Sequence, residues 1–152
     1  MTVYGAKCAS WRAHALVLVH RLCGPEGRVT VRRPLVAVVD DDESARESLP
    51  DLIRELGYAA RAFASAQEFL ASGGIVDTEC LILDVAMPGM SGPELQQQLT
   101  REGHAIPIIF ITAMTDKSIA AALLQRGAVA CLLKPFGDQD LRSALATALP
   151  GT

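Results

Sequence analysis

CLILDVAMPGMSG, residues 80–92, changes abruptly from apolar residues to turn-forming ones, and the change falls at Asp84. An apolar run that ends in a carboxylate, with Pro and Gly soon after, is typical of an interior strand of a parallel sheet. Three other apolar runs end similarly: LVAVV before the acidic residues 40–42, IPIIFI before Thr112, and CLL before Lys134. Because the carboxyl ends of parallel strands share one edge, we expect these polar side chains to meet there.

Apolar runs alternate with amphipathic stretches from Pro34 onward, which is the pattern of repeated βαβ units. Ser65 and Ser91, each followed three residues later by a glutamate, predict helices that begin with a capping box. Pro50 is expected to kink or shorten the first helix. The predicted strands are 35–39, 59–63, 80–83, 107–111 and 129–133, and the predicted helices are 43–56, 66–72, 92–101, 116–126 and 138–149.

Charge divides the chain into two parts. Residues 1–33 carry six basic side chains and one acidic one, a net charge of +5, whereas the rest carries eight basic and sixteen acidic ones, a net charge of −8. We predict a basic N-terminal extension over 1–33, disordered or with a short helix near 11–22, and one globular domain over 34–152. So acidic a domain is a poor partner for nucleic acid.

The four cysteines lack metal-binding spacing, and Cys80 and Cys131 lie within apolar runs. This favours core-filling thiols in a reducing cytoplasm. No apolar run approaches the roughly 20 residues that a membrane span needs. The apolar segment 13–19 is not followed by a signal-peptide cleavage site. We therefore expect a cytoplasmic domain with no membrane partner.

The polar residues at the strand ends suit a site for a divalent cation and a phosphoryl group. Taken singly, each has a structural explanation: residues 40–42 as a helix cap, Asp84 as a turn residue and Lys134 as a solvated strand end. Their joint position at one predicted edge favours a shared site, with Asp42 expected to serve only as a cap. Carboxylates about 4 Å apart repel by roughly 4 kcal/mol at an effective dielectric near 20. A metal-free site should therefore be strained or partly protonated.

Residues 35–149 resemble the receiver domain of two-component response regulators. The matching motifs are VVDDD (38–42), LILDVAMPGMSG (81–92), FITA (110–113) and LLKPF (132–136). MPGMSG and the Lys-Pro-Phe ending are most similar to the nitrogen-fixation regulator subgroup. The resemblance implies a (βα)5 flavodoxin-like sandwich, an α/β fold whose five parallel strands lie in the order 2-1-3-4-5. It also implies a signalling phosphoacceptor rather than an enzyme.

The resemblance assigns roles to individual residues. Asp84 would take a phosphoryl group from a sensor histidine kinase, Lys134 would pair with a phosphoryl oxygen, and Thr112 would donate a hydrogen bond to another. The peptide bond between Lys134 and Pro135 would be cis.

A Mg²⁺ site is implied in the same way. Asp41 and Asp84 would bind the ion directly, the backbone carbonyl of Ala86 would be a third ligand, and Asp40 would act through water.

Two contact surfaces also follow from the resemblance. The kinase histidine domain would dock on Leu49, Pro50 and Ile53 together with Pro135 and Phe136. The apolar helix 116–126 would form homodimers or meet an output protein, or it packs only on its own sheet. The sequence contains no helix-turn-helix after the receiver-like part. We therefore expect any DNA binding to come from a separate protein or from a segment outside this sequence.

Three positions depart from the family pattern. Cys131 replaces the aromatic switch residue, so the signal from Thr112 must reach the surface by another route or be weak. Ala86 and Met114 occupy positions that tune phosphoryl loss and cannot orient a hydrolytic water. We expect a long-lived phosphorylated state.

Two other classes compete with this interpretation. An aspartate-nucleophile phosphatase of the haloacid dehalogenase type needs a second acid two residues after the nucleophile, where this chain has Ala86. A flavodoxin-like electron carrier needs a phosphate loop rich in Ser, Thr and Gly after the first strand, whereas residues 40–42 would repel a phosphate.

Overall fold

The computed structural model describes residues 31–151, in which five strands alternate with five helices. The strands are β1 (Leu35–Val39), β2 (Ala59–Phe63), β3 (Cys80–Asp84), β4 (Ile108–Thr112) and β5 (Ala130–Leu133). The helices are α1 (Glu43–Glu55), α2 (Ala66–Ala71), α3 (Gly92–Arg101), α4 (Lys117–Gln125) and α5 (Asp138–Ala148). The helix predicted near 11–22 lies outside the described residues, and the extension over 1–33 stays a prediction.

The strands form one parallel sheet in the order β2-β1-β3-β4-β5, which confirms the predicted fold. Asp84 pairs with Ile111, and Thr112 pairs with Leu133. The last residues of the three neighbouring strands β3, β4 and β5 therefore lie side by side at the carboxyl edge. The chain order reverses between β1 and β3, and crevices at such positions are where open α/β sheets bind ligands.

Helices cover both faces of the sheet, as the apolar character of its interior strands requires. Alternate residues of β1 point to opposite faces, so each face has its own core, and a register slip of one residue would exchange the two sets. The α1 and α5 side buries Val36, Val38, Leu49, Ile53, Cys80, Ile82, Ile109, Ile111, Leu141 and Leu145. The other side, with α2, α3 and α4, buries Ala37, Val39, Phe69, Leu81, Leu83, Leu95, Leu99, Phe110 and Leu123.

The observed elements differ from the predicted ones by one residue at several ends. Asp84 and Thr112 are the last residues of their strands rather than the first of their loops. Helix α1 continues five residues beyond Pro50, so the expectation that this proline shortens the helix is wrong. The proline is buried in the middle of the helix.

Both predicted capping glutamates accept hydrogen bonds at helix starts. Glu68 accepts one from the backbone N–H of Ala64 (2.7 Å), while Ser65 accepts from the N–H of Glu68 (3.1 Å). Glu94 accepts from both the N–H (2.7 Å) and the hydroxyl (2.8 Å) of Ser91. These bonds lower the pKa of Glu94.

The two cysteines of the sheet differ in burial. Cys80 is fully buried, and this burial raises its pKa to about 12, which leaves an inert core thiol. Cys131 lies on the edge strand β5 and is only partly buried, so the core-filling assignment holds for it in part.

Candidate functional site

The polar residues predicted to meet do so at the carboxyl edge of the sheet. Asp84 ends β3 and is 7% exposed, and Asp40 follows β1 and is 0% exposed. Lys134 directly follows β5, and its backbone N–H donates to the carbonyl of Thr112 (2.7 Å). This bond places the lysine beside the end of β4. Strand pairing therefore holds these residues together, although up to 94 positions separate them in the chain.

The carboxylate of Asp40 is held by two hydrogen bonds. Its Oδ1 accepts from the backbone N–H of Asp42 (2.9 Å), and its Oδ2 accepts from Nζ of Lys134 (2.7 Å). A carboxylate without solvent contact is stable only when paired in this way. Its ammonium partner is accordingly the main compensation for burying this charge.

Lys134 lies between two carboxylates. Its Nζ is 2.7 Å from Asp40 and 3.5 Å from Oδ1 of Asp84. Burial acts to lower the pKa of Lys134, but the hydrogen bond to Asp40 and the charges of Asp84 and Asp40 outweigh it and raise the pKa. The lysine is therefore a fixed cation beside the Asp84 carboxylate.

The pKa of Asp84 is raised. Burial is the main cause that raises its pKa to about 6, the charges of Asp40 and Asp41 add to the shift, and Lys134 opposes it. The direction of this shift agrees with the expectation that the metal-free site is strained or partly protonated, because a raised pKa favours the protonated carboxyl.

Three carboxylates offer a metal site. Oxygens of Asp40, Asp41 and Asp84 lie within 4.8 Å of one another, and Asp41 is exposed. An all-oxygen set with one open side fits a hard cation that retains some of its waters, as Mg²⁺ does. The residues present therefore fit the predicted ion, while the role of the Ala86 carbonyl remains a prediction.

The structure contains the cis bond that the resemblance implied, whereas the predicted role of Thr112 toward a phosphoryl oxygen stays a prediction. Oγ1 of Thr112 accepts from the backbone N–H of Met114 (3.0 Å), so the hydroxyl hydrogen remains to be donated elsewhere. The Lys134–Pro135 bond is cis. Asp42 caps α1 by accepting from the N–H of Ser44 (2.9 Å), which confirms its expected role.

Gly92 is part of the site although the sequence analysis gave it no role. Its N–H donates to the carbonyl of Val85 (3.1 Å) as α3 begins. A Cβ on Gly92 would overlap the backbone carbonyl of Asp84 and touch the ring of Phe110. Only glycine allows the start of α3 to approach the end of β3 so closely. The one sequence signal for this was a glycine directly after the N-cap serine of a helix.

The predicted kinase-docking surface needs correction. Leu49, Pro50 and Ile53 are buried, so Pro50 and Ile53 cannot present a contact surface. Their spacing on α1 marks the side that packs on the sheet. A groove of about 350 Å³ lies between α1 and the loop after β5 instead, lined by Asp42, Ser44, Ala45, Ser48, Leu49, Leu52, Lys134, Pro135 and Phe136.

Helix α4 leaves half of its apolar residues exposed, namely Ala121, Ala122 and Leu124. Leu123 is its one buried residue, whereas Leu124 is 46% exposed. On the neighbouring edge strand, Leu133 is exposed as well. We call these exposed leucines, with Ala121 and Ala122, the α4–β5 face.

Fold and site together define a class of protein. This class consists of doubly wound α/β domains in which carboxylates, a threonine and a lysine lie together at the carboxyl edge of the sheet. None of the helices within residues 31–151 is long and apolar enough to cross a membrane.

Comparisons with known proteins identify this class. A family model for the response regulator receiver domain matches residues 36–146. The chain is 42% identical over 115 residues to the response regulator protein TmoT of Ectopseudomonas mendocina, which covers 76% of this chain and 52% of TmoT. It is 38% identical over 114 residues to the transcriptional regulatory protein FixJ of Azorhizobium caulinodans (75% and 54% covered).

The solved structures agree. The crystal structure of FixJ-N superposes with a TM-score of 0.69 at 35% identity over 77% of this chain and 94% of that one. The chain belongs to the response regulator receiver family and is a receiver domain of two-component signal transduction. The similarity to FixJ agrees with the subgroup that the resemblance indicated, and the comparisons give the phosphatase alternative no support. The chain spans about half the length of the curated relatives it matches.

Proposed function

We propose that Asp84 accepts a phosphoryl group from a sensor histidine kinase. The observation that carries this assignment is the position of Lys134, whose ammonium lies 3.5 Å from the Asp84 carboxylate. An Asp84 oxygen would form a P–O bond while the P–N bond to the donor imidazole breaks, and the imidazole leaves with that electron pair. Lys134 would then neutralise one phosphoryl oxygen, and Thr112 would donate its free hydroxyl hydrogen to another.

Mg²⁺, bound by Asp41, Asp84 and the Ala86 carbonyl with Asp40 behind a water, would supply charge neutralisation at the transferring group. The side chains of Asp40, Lys134 and Asp84 would prepare the site for this transfer. Asp40 holds the Lys134 ammonium at 2.7 Å before any phosphoryl group arrives. Because the pKa of Asp84 is raised, its carboxyl must lose the remaining proton before it can attack phosphorus. A bound cation favours that loss because it stabilises the carboxylate form.

Intact-mass analysis after treatment with acetyl phosphate and Mg²⁺ tests the assignment. The wild type is expected to gain one phosphoryl group, and Asp84→Asn is expected to gain none. Asp77→Asn is the matched control, because Asp77 is an exposed aspartate outside the site. Equal labelling of Asp84→Asn and wild type would contradict the proposal.

Partners follow from the same assignment. The groove between α1 and the loop after β5 borders Lys134 and would receive the kinase histidine domain, with Pro135 and Phe136 as apolar contacts. The α4–β5 face would form a homodimer or meet the output protein or domain. The domain itself is not expected to bind nucleic acid or membrane, and we place it in the cytoplasm.

A further inference from the structure

Arg46 reaches from the first turns of α1 back to the acidic loop. Its Nη1 donates to the backbone carbonyl of Asp40 (3.0 Å), six residues earlier in the chain. The side chain is half-buried, unlike that of Arg54, which pairs with Asp51 on the exposed side of the same helix. Arg46 therefore ties the start of α1 to the residue that follows β1.

Asp40 is fixed at each of its polar groups. Its N–H donates to the carbonyl of Phe63 (3.2 Å), and its carboxylate is held by Asp42 and Lys134. The contact from Arg46 to the carbonyl is the fourth tie. This carbonyl belongs to the planar peptide unit that joins Asp40 to Asp41, so fixing it fixes the position of the Asp41 Cα, from which the side chain leaves the loop.

We infer that Arg46 is a positioning residue for the metal site, acting through the Asp40–Asp41 peptide. The inference rests on the proposed function, since it concerns the Mg²⁺ site formed by Asp41 and Asp84. Asp41 is exposed, and within residues 31–151 no protein group donates a hydrogen bond to its side chain, so the backbone is what holds this carboxylate near Asp40 and Asp84. Groups that orient metal ligands without touching the metal typically change affinity by 10- to 100-fold.

The test compares Mg²⁺ affinity among three variants of the full chain. Arg46→Met keeps the apolar stem and removes the donor, whereas Arg46→Lys keeps a donor and a positive charge. Arg54→Met is the matched control, because Arg54 also lies on α1 and also donates to a carbonyl outside the helix, that of Ala60 (3.3 Å). The Mg²⁺ Kd is read from backbone amide NMR shifts of residues 40–42 and 84, and melting without metal checks folding.

We expect Arg46→Met to raise the Mg²⁺ Kd about tenfold, Arg46→Lys to restore part of the affinity, and Arg54→Met to stay within about twofold of wild type. A merely structural role would instead lower the melting temperature of both methionine variants and leave both Kd values alike. An unchanged Kd in Arg46→Met, beside normal binding by wild type, would overturn this inference alone. Absence of Mg²⁺ binding by wild type would overturn both the inference and the proposed metal site.

Discussion

At the scale of single residues, the site holds negative charge in a place that disfavours it. Asp40 and Asp84 are both buried, and one ammonium serves both carboxylates. The pKa of Asp84, about 6, lies above the ordinary value near 3.9 for an unfolded chain. The folded domain therefore binds this proton more tightly than the unfolded chain does.

The first prediction concerns stability and pH. Ionised Asp84 destabilises the metal-free fold, so the free energy of unfolding should fall as pH rises from about 4 through 6. Asp84→Asn removes that charge, and it should stabilise the metal-free domain by about 2 kcal/mol at pH 8. The gain should be smaller at pH 5, where most of the wild-type Asp84 is already neutral. Urea unfolding in EDTA at both pH values measures this, and a larger gain at pH 5 would contradict it.

The second prediction concerns loss of the phosphoryl group. Ala86 and Met114 border the site and both are exposed, yet neither can orient a water for attack on phosphorus. Phosphorylated wild type should therefore persist well beyond seconds in Mg²⁺. Met114→Glu places a carboxylate there and should shorten the half-life by at least about tenfold, because a positioned acid or base contributes that much or more.

A radiolabel chase measures that half-life. Thr115→Glu is the control, since it adds the same charge at the exposed neighbouring position and should leave the half-life nearly unchanged. A wild-type half-life of seconds, or equal effects of the two glutamates, would rule out this explanation.

At the scale of elements, the contact between α3 and β3 sets the backbone of Asp84. Gly92→Ala would push against the Asp84 carbonyl, so we expect a loss of stability of about 1–3 kcal/mol and slower phosphorylation by acetyl phosphate. Gly137→Ala is the control, because Gly137 also lies at a helix start but its Cβ would meet its nearest atom at an ordinary 3.6 Å. Thermal melts measure the stability of both variants, and acetyl phosphate labelling measures their phosphorylation rates. If Gly92→Ala matches wild type in both, the close contact between α3 and β3 is not needed for stability or phosphorylation.

The fourth prediction concerns the α4–β5 face. If this face associates on phosphorylation, Leu124→Asp should abolish a phosphorylation-dependent dimer, since a buried unpaired charge is costly at an interface. Val76→Asp is the control, because Val76 is 87% exposed and lies in the loop before β3. Light scattering with and without acetyl phosphate measures the effect. A dimer that survives Leu124→Asp would exclude this face.

At the scale of the whole molecule, the sequence predicted the sheet and the site because both depend on where apolar runs end. Each run ends within a residue of its predicted position, and strand pairing then brings Asp40, Asp84 and Lys134 together. Contacts that depend on how a helix is oriented were harder to predict from the sequence. The docking surface that the resemblance placed on α1 uses residues that pack on the sheet. The links from Arg46 to Asp40 and from Gly92 to Asp84 carry no sequence pattern of their own.

The most direct measurement is the location of the phosphoryl group on the intact chain. Acyl phosphates are reduced by borohydride, which converts the labelled aspartate to homoserine, and peptide mapping then identifies the position. After treatment with acetyl phosphate and Mg²⁺, homoserine is expected at position 84 and nowhere else. Homoserine at another aspartate, or a phosphoester that resists reduction, would contradict the assignment of Asp84 as the phosphoacceptor.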